Sequence, residues 1–202
     1  MEAQHDTLDE VTGLYNVLII GSGVDFLGGL KPYYDYYPYR YCNEQCELSS
    51  LICSELGKEL LEAYTCVKKL LEKEVFSSVI VVSPYCVHRC LVEEDERIIE
   101  LLGCVRCSDC KGDKHDNVVG LGGKIDYKKL IRVISEIMIA DNIFVVGITC
   151  ELYPINMLFE AVKYGKARTI VVSTSRNVLV EYSDKWVRRS PIKWLYELCF
   201  SI

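Results

Sequence analysis

The sequence predicts an α/β fold in which a parallel, Rossmann-like sheet is covered by helices on both faces. Short apolar runs rich in β-branched residues recur along the chain, at 16–20, 79–82, 143–146 and 169–172. Nearly continuous apolar runs of this kind are typical of strands that are buried on both faces. Helical patterns separate the runs, and alternating strands and helices indicate a parallel sheet with crossover helices.

Apolar residues at helical spacing predict the helices between these strands. The first, over 47–73, is one long helix or two shorter ones that break near Gly57. Residues 94–101 predict a short helix that Gly103 closes. Further helices are predicted at 126–139, at 154–164 with a proline in the first turn, and at 192–198.

The length and composition suit one domain with a sizeable core, because the chain has 202 residues and half of them are hydrophobic. We expect a single domain over 1–202, with a small lobe rich in Cys and Gly at about 103–124. The formal net charge of -6 makes unassisted nucleic-acid binding an unexpected function. Four basic residues near the C-terminus form a solvated rim or a local basic patch: Lys185, Arg188, Arg189 and Lys193.

The start of the chain predicts an intracellular location. Residues 1–10 are polar and acidic and lack the cationic flank and apolar stretch of a signal peptide. The apolar runs are about 5 to 8 residues long, which is too short to span a bilayer. We therefore expect a cytoplasmic protein without a membrane partner.

Three loops that follow predicted strands are the candidate ligand site, because parallel strands place their carboxyl ends at one edge of the sheet. Glycine after a strand lets backbone N–H groups approach a diphosphate, although a tight turn alone also explains glycine there. Hydroxyl groups in the other two loops suit a phosphate or a ribose. The candidate nucleotide-binding residues are Gly21, Ser22, Gly23, Asp25, Gly147, Thr149, Ser173 and Thr174.

The end of the second predicted strand argues against an ordinary dehydrogenase. A dinucleotide-binding domain of the usual kind carries an acidic residue there, for a ribose hydroxyl. This chain has Ser83, Pro84 and Tyr85 at that position and no carboxylate.

Eleven cysteines are many for an intracellular chain, and metal ligands, disulfides and small core side chains each explain some of them. Three cysteines in the lobe follow one another at C-x2-C-x2-C spacing, and with a nearby His they make a complete zinc set. The candidate zinc ligands are Cys104, Cys107, Cys110 and His115. The same spacing occurs at four-iron clusters with a fourth cysteine, here Cys86 or Cys90, and disulfides or free thiols are the alternatives without metal.

Two other features leave alternatives open. Cys42-x3-Cys46 and Cys86-x3-Cys90 have one-turn helical spacing and can be halves of disulfides to other segments, while His88 can be a ligand, a base or a structural residue. Residues 31–41 contain six Tyr and two Pro. They predict an irregular loop that either covers a ligand or packs at the edge of the core.

The order of these motifs resembles that of sirtuins, the NAD-dependent protein deacylases. Residues 140–154 read Ala-Asp, an apolar strand, Gly-Ile-Thr and Leu-Tyr-Pro, similar to the sirtuin run Ala-Asp, strand, Gly-Thr-Ser, Val-x-Pro. Residues 16–25 resemble the opening strand and Gly-Ala-Gly loop of that family. Residues 99–103 and Cys107-x2-Cys110 resemble its Ile-Glu-Leu-His-Gly run and first zinc pair. The resemblance covers most of the chain and implies an NAD-like or ADP-ribose-like ligand, with zinc in the lobe.

The departures from the family pattern imply a changed activity. Sirtuins carry a catalytic His where this chain has Leu102, and an apolar side chain cannot act as a base. Their Gln-Asn-Ile-Asp run corresponds to residues 84–87, which read Pro-Tyr-Cys-Val, and the second zinc pair is missing. The resemblance therefore implies a pseudoenzyme that holds a nucleotide without removing acyl groups.

Two alternatives to this interpretation remain at the level of sequence. One is an NAD-consuming enzyme, a glycohydrolase or an ADP-ribosyl transferase, that uses Asp25, His88 or a tyrosine of the 33–41 segment. The other is a structural or interaction module with a vestigial pocket. That module would present a large apolar interface, as in a homodimer.

Overall fold

A computed structural model of the chain describes residues 14–30, 57–85, 87–91, 95–103, 119, 124–148 and 155–202. Among these residues, six strands form one sheet in which every neighbouring pair is parallel. The strands are β1 (Asn16–Gly21), β2 (Ser78–Val82), β3 (Ile98–Glu100), β4 (Asn142–Val146), β5 (Arg168–Ser173) and β6 (Lys185–Arg188).

The order of the strands across the sheet is β3-β2-β1-β4-β5-β6. The chain thus builds one half outward from β1 and then returns to the centre to build the other half from β4. The strand order reverses between β1 and β4, which makes their carboxyl ends the topological switch point of the sheet. Ligands of open α/β sheets bind in the crevice at that point.

The predicted strands 16–20, 79–82, 143–146 and 169–172 are confirmed as β1, β2, β4 and β5. The short helix predicted over 94–101 is wrong, because Ile98–Glu100 is strand β3 and pairs in parallel with β2. Three residues are too few to show a periodicity in the sequence. This strand can therefore be identified only from its pairing with β2. Strand β6 was not predicted; it lies at the sheet edge and contains charged residues, as edge strands often do.

Helices join these strands along the described parts of the chain. The predicted break near Gly57 coincides with the start of the second helix, while residues 31–56 lie outside the described residues. The helices are α1 (Ser22–Leu27), α2 (Lys58–Glu72), α3 (Tyr127–Ile139), α4 (Asn156–Tyr164), α5 (Val178–Glu181) and α6 (Pro191–Ser201). A single 3₁₀ turn, Val87–Cys90, follows β2.

Two hydrophobic clusters cover the two faces of the sheet, which confirms the predicted architecture. Side chains alternate along each strand, so Leu18 and Ile20 of β1 face one cluster and Val17 and Ile19 face the other. The first cluster, here called the α2 face, contains α2 and α6. The second, the α3 face, contains α3, α4 and α5.

Aromatic packing lies at the centre of the α2 face. The ring of Phe144 in β4 contacts Phe76 edge to face, with centroids 5.6 Å apart, and stacks on Trp194 of α6 at 5.7 Å. All three side chains are buried. Phe144 therefore links the middle of the sheet to the C-terminal helix.

A buried amide pair fixes the amino ends of the two central strands. Asn16 of β1 and Asn142 of β4 are register partners, and the Nδ2 of Asn142 donates to the Oδ1 of Asn16 at 2.9 Å. The Nδ2 of Asn16 donates in turn to the carbonyl of Val75 at 2.9 Å. A slip of one residue would leave buried amides without partners, so this pair specifies the register of β1 against β4.

None of the helices in the described part of the chain combines the length and the apolar character that a membrane crossing requires.

Replacing Phe144 by Ala should lower the free energy of unfolding by about 3 to 5 kcal/mol, because the deletion leaves a cavity between Phe76 and Trp194. Phe200, which is 80% exposed, provides the matched control. Its replacement by Ala should change stability by less than about 0.5 kcal/mol. Urea unfolding followed by circular dichroism measures both. Equal effects of the two substitutions would contradict the described packing.

Candidate functional site

Two glycine-containing loops meet at the switch point of the sheet. The first is the tight junction in which Gly21 ends β1 and Gly23 lies in the first turn of α1, and the second follows β4 and contains Gly147. The backbone N–H of Gly23 donates to the carbonyl oxygen of Gly147 at 2.9 Å. The structure thus brings together two of the three loops that the sequence assigns to a ligand site.

The close approach of these loops requires glycine at all three positions. A Cβ on Gly21 would overlap Ile148 and lie 2.6 Å from the oxygen of Gly147, and one on Gly23 would lie 2.5 Å from that oxygen. Gly147 has a φ of +67°, and a Cβ there would lie 2.8 Å from the backbone nitrogen of Val24. Backbone packing alone therefore accounts for the three glycines, whether or not a ligand binds.

The third loop is tied to the second by Asn177, a residue that the sequence analysis did not select. Its Nδ2 donates to the carbonyl of Ile148 at 3.0 Å, and its Oδ1 accepts the N–H of Val180 as the cap of α5. Asparagine before a helical pattern is a recognisable cap signal. The bond to Ile148 depends on the tertiary structure and has no sequence signal.

Ser173 and Thr174, the hydroxyl residues of this third loop, differ in their surroundings. Ser173 is buried, and its Oγ donates to the carbonyl of Ser175 at 2.8 Å and accepts from the indole of Trp186 at 3.0 Å. Thr174 follows β5 directly and is exposed. Of these two residues, Thr174 is the one exposed to solvent.

Asp25 belongs to α1 and is completely buried. The hydroxyl of Tyr64 in α2 donates to its Oδ1 at 2.8 Å, and Ser83 after β2 donates to its Oδ2 at 2.5 Å. Burial raises the pKa of the Asp25 carboxyl to about 7, although the hydrogen bonds from Ser83 and Tyr64 oppose that rise. The carboxyl joins α1, α2 and the end of β2 from inside the protein.

His88, the other candidate catalytic residue, belongs to a buried pair on the α2 face. Its Nε2 lies 2.9 Å from the Oε1 of Glu100 at the end of β3. Its Nδ1 is buried and makes no hydrogen bond to any described residue. The neighbouring residues Val87 and Leu91 also pack on the α2 face, so this imidazole is part of that side of the molecule.

Leu102, by contrast, is buried on the α3 face with Ile99 and Leu101. Its carbonyl accepts the N–H of Val119 at 2.8 Å. Because the side chains of His88 and Leu102 lie on opposite faces of the sheet, the imidazole of His88 does not stand in for a side chain at position 102.

Several predicted site residues lie outside the described residues, and the expectations for them stay predictions. Thr149, the tyrosine-rich segment 31–41 and the pair Cys42 and Cys46 are among them. So are Cys86 and the four candidate zinc ligands Cys104, Cys107, Cys110 and His115. In the part of the chain that the structure describes, no group of three or more His, Cys, Asp or Glu residues could hold a metal ion.

Replacing Asp25 by Asn should reduce the pH dependence of stability. Asp25 loses its proton near pH 4 in the unfolded chain and near pH 7 in the folded chain. Protonation of Asp25 therefore stabilises the folded state. This contribution, up to about 4 kcal/mol, is complete below pH 4 and is lost as the pH rises to about 7. The measurement is the melting temperature of both proteins between pH 4 and pH 8.

The matched control for this experiment is Asp126→Asn. Asp126 is exposed and caps α3 by accepting the N–H of Lys128, and asparagine caps helices equally well. This variant should keep the pH profile of the unmodified protein. If Asp25→Asn kept it as well, the carboxyl of Asp25 would not be the group that holds the proton.

The fold of this chain has counterparts among solved structures. No protein-family model and no curated protein sequence matches the chain. Many solved structures do. One comes from work on the structural basis of sirtuin substrate affinity and is 16% identical to this chain. Its TM-score is 0.74, and the match covers 100% of this chain and 99% of the other.

Two further structures are similar to the same degree. A Sir2 mutant with a p53 peptide and NAD is 16% identical, with a TM-score of 0.72 and 98% coverage of both chains. Sir2Tm bound to a propionylated peptide is 17% identical, with a TM-score of 0.71 and 96% coverage of both chains. A similarity at this level of identity concerns the fold. Over nearly its whole length, the chain has the fold of the Sir2 or sirtuin structures.

Proposed function

We propose that this protein binds NAD, ADP-ribose or a related nucleotide at the carboxyl edge of the sheet and does not remove acyl groups from lysine. The observation that carries the proposal is the contact between Gly23 and Gly147 at the switch point of the sheet. Open parallel sheets bind their ligands at this point. The structural relative that contains NAD shares the fold that creates it.

The loops offer the groups that a nucleotide diphosphate needs. Gly21 caps α1 in an extended conformation, and the helix begins at Ser22 without a side-chain cap. The first N–H groups of a helix have no partner within it and suit phosphate oxygens, although that of Gly23 already binds Gly147. Ser22 is half-buried at this point, and Thr174 is an exposed residue whose hydroxyl group suits a ribose. We expect Thr149 to complete the set.

The loss of deacylation is supported by the side chains at the positions where sirtuins carry their reactive groups. Leu102 is buried and has no group that can accept a proton. The side chain of Tyr85 packs into the α2 face, with its ring 6.2 Å from that of Phe26, and the side chain of Val87 is buried there too. Neither has an amide or a carboxylate with which to orient nicotinamide or a water molecule.

Each alternative function has one observation in its favour. The Nδ1 of His88 has no hydrogen-bond partner among the described residues, while Nε2 is oriented by Glu100. This favours an NAD-consuming enzyme, because an oriented imidazole is a common general base. The close packing of Gly21, Gly23 and Gly147 favours a structural module, because it explains the glycines without a ligand. A single experiment separates the three functions.

That experiment is a calorimetric titration of the full chain with NAD, with nicotinamide release followed in the same sample. We expect saturable heat and no release of nicotinamide. Release at a rate that His88→Gln abolishes would establish an NAD-consuming enzyme instead. The absence of both heat and release, repeated with ADP-ribose, would leave the structural module.

A variant pair at Ser22 tests the location of the site. In Ser22→Glu a carboxylate faces the bound diphosphate, and repulsion over about 4 Å near a protein surface should weaken binding at least tenfold. Ser22→Gln has a similar size without the charge and should bind within about threefold of the unmodified protein. An acidic residue in the first turn of a helix also favours the helix, so Ser22→Glu should not lower the melting temperature.

Titration of both variants with NAD and with ADP-ribose, alongside their thermal unfolding, provides the measurement. Equal affinities of Ser22→Glu and Ser22→Gln would show that the diphosphate does not bind at the start of α1.

A further inference from the structure

Two buried cysteines lie where α2 packs against α6, far from one another along the chain. Cys66 of α2 and Cys199 of α6 are 4% and 8% exposed, and both belong to the hydrophobic cluster of the α2 face. Both thiols are free, and they lie close enough for Cys199 to affect the pKa of Cys66. A disulfide between them requires Cβ atoms about 3.5 to 4.5 Å apart, which residues that face each other across a packed helix pair can reach.

Neighbouring contacts fix the relative position of the two helices. Tyr196, which lies one turn before Cys199, donates its hydroxyl to the carbonyl of Glu59 at 2.6 Å and lies 3.2 Å from the Oε2 of Glu62. Both glutamates precede Cys66 in α2, so the two helices run side by side in the same direction. On the inner side of α6, Trp194 stacks on Phe144 of the sheet. The approach of the two thiols therefore follows from a packed interface.

We propose that Cys66 and Cys199 form a reversible disulfide that joins α2 to the C-terminal helix. The bond would link two segments that are about 130 residues apart in sequence. The proposal is independent of nucleotide binding, since neither cysteine belongs to the glycine loops.

The oxidant is a small disulfide, such as oxidised glutathione, which accepts the two electrons. The thiolate of Cys199, in the last turn of α6, attacks one sulfur of the small disulfide and releases the first small thiol. The thiolate of Cys66 then attacks the Cys199 sulfur of the mixed disulfide and releases the second. Both cysteine protons end on the two small thiols that leave.

The surroundings make this exchange slow in the folded protein. Burial, together with a smaller effect of the neighbouring Cys199, raises the pKa of the Cys66 thiol to about 12. The reactive thiolate is therefore scarce at neutral pH. We expect rapid oxidation during refolding, when the thiols are accessible, and slow oxidation of the folded protein, with a rate that rises with pH.

The test is peptide mapping of the full chain after refolding in a buffer of reduced and oxidised glutathione. Free thiols are blocked with iodoacetamide in acid-quenched, denatured samples, which are then digested with trypsin and analysed without reduction. Cleavage after Lys58, Lys68 and Lys193 yields the peptides 59–68 and 194–202, each with one cysteine. A cross-linked pair of these two peptides, which reduction separates, is the expected result.

The other nine cysteines make controls necessary. The variants Cys66→Ser and Cys199→Ser should each lose the cross-linked pair and keep any other disulfide. Oxidation should raise the melting temperature of the unmodified protein by about 10 °C relative to these variants, because the bond closes a long loop.

Two results would overturn the proposal. One is a refolded, oxidised protein in which both peptides carry the blocking group or glutathione and no cross-linked pair is found. The other is a disulfide from Cys66 or Cys199 to a different cysteine. The mapping of the unmodified chain decides between these results even if a serine variant fails to fold.

Discussion

The contact between the backbones of Gly23 and Gly147 is the constraint on which the rest of the structure depends. It joins the loops after the two central strands at the point where the strand order reverses. A side chain on Gly21, Gly23 or Gly147 would force these loops apart. The fold therefore requires glycine at these three positions, independently of any ligand.

Polar groups inside the protein hold this contact in place from both ends of the strands. At the carboxyl end, Asp25 binds Tyr64 and Ser83 and so joins α1 to α2 and β2. Burial removes the carboxyl group from water and so raises its pKa. The two hydrogen bonds offset only part of that rise. At the amino end, Asn16 and Asn142 bind each other. These two clusters specify one arrangement of the central strands, because any other would leave buried polar groups unpaired.

The sequence predicted the central part of the fold well and its margins poorly. The runs at β1, β2, β4 and β5 are long, apolar and β-branched, so the burial pattern identifies them without a partner. The strand β3 has only three residues, and its identity comes from its pairing with β2, so the sequence suggested a helix there. Strand β6 is half-buried and partly charged, and it lacks the apolar pattern on which the prediction depended.

By itself, the sequence determined that this is a parallel α/β domain, that glycines follow its central strands and that position 102 has no proton-accepting group. These properties are local, since they depend on which residues are apolar, small or ionisable. Only the tertiary structure decided which distant residues lie together: Asp25 with Tyr64, His88 with Glu100, and Cys66 near Cys199. The physical reason is that such contacts join segments through the packing of helices on the sheet, and no pattern within either segment records its partner.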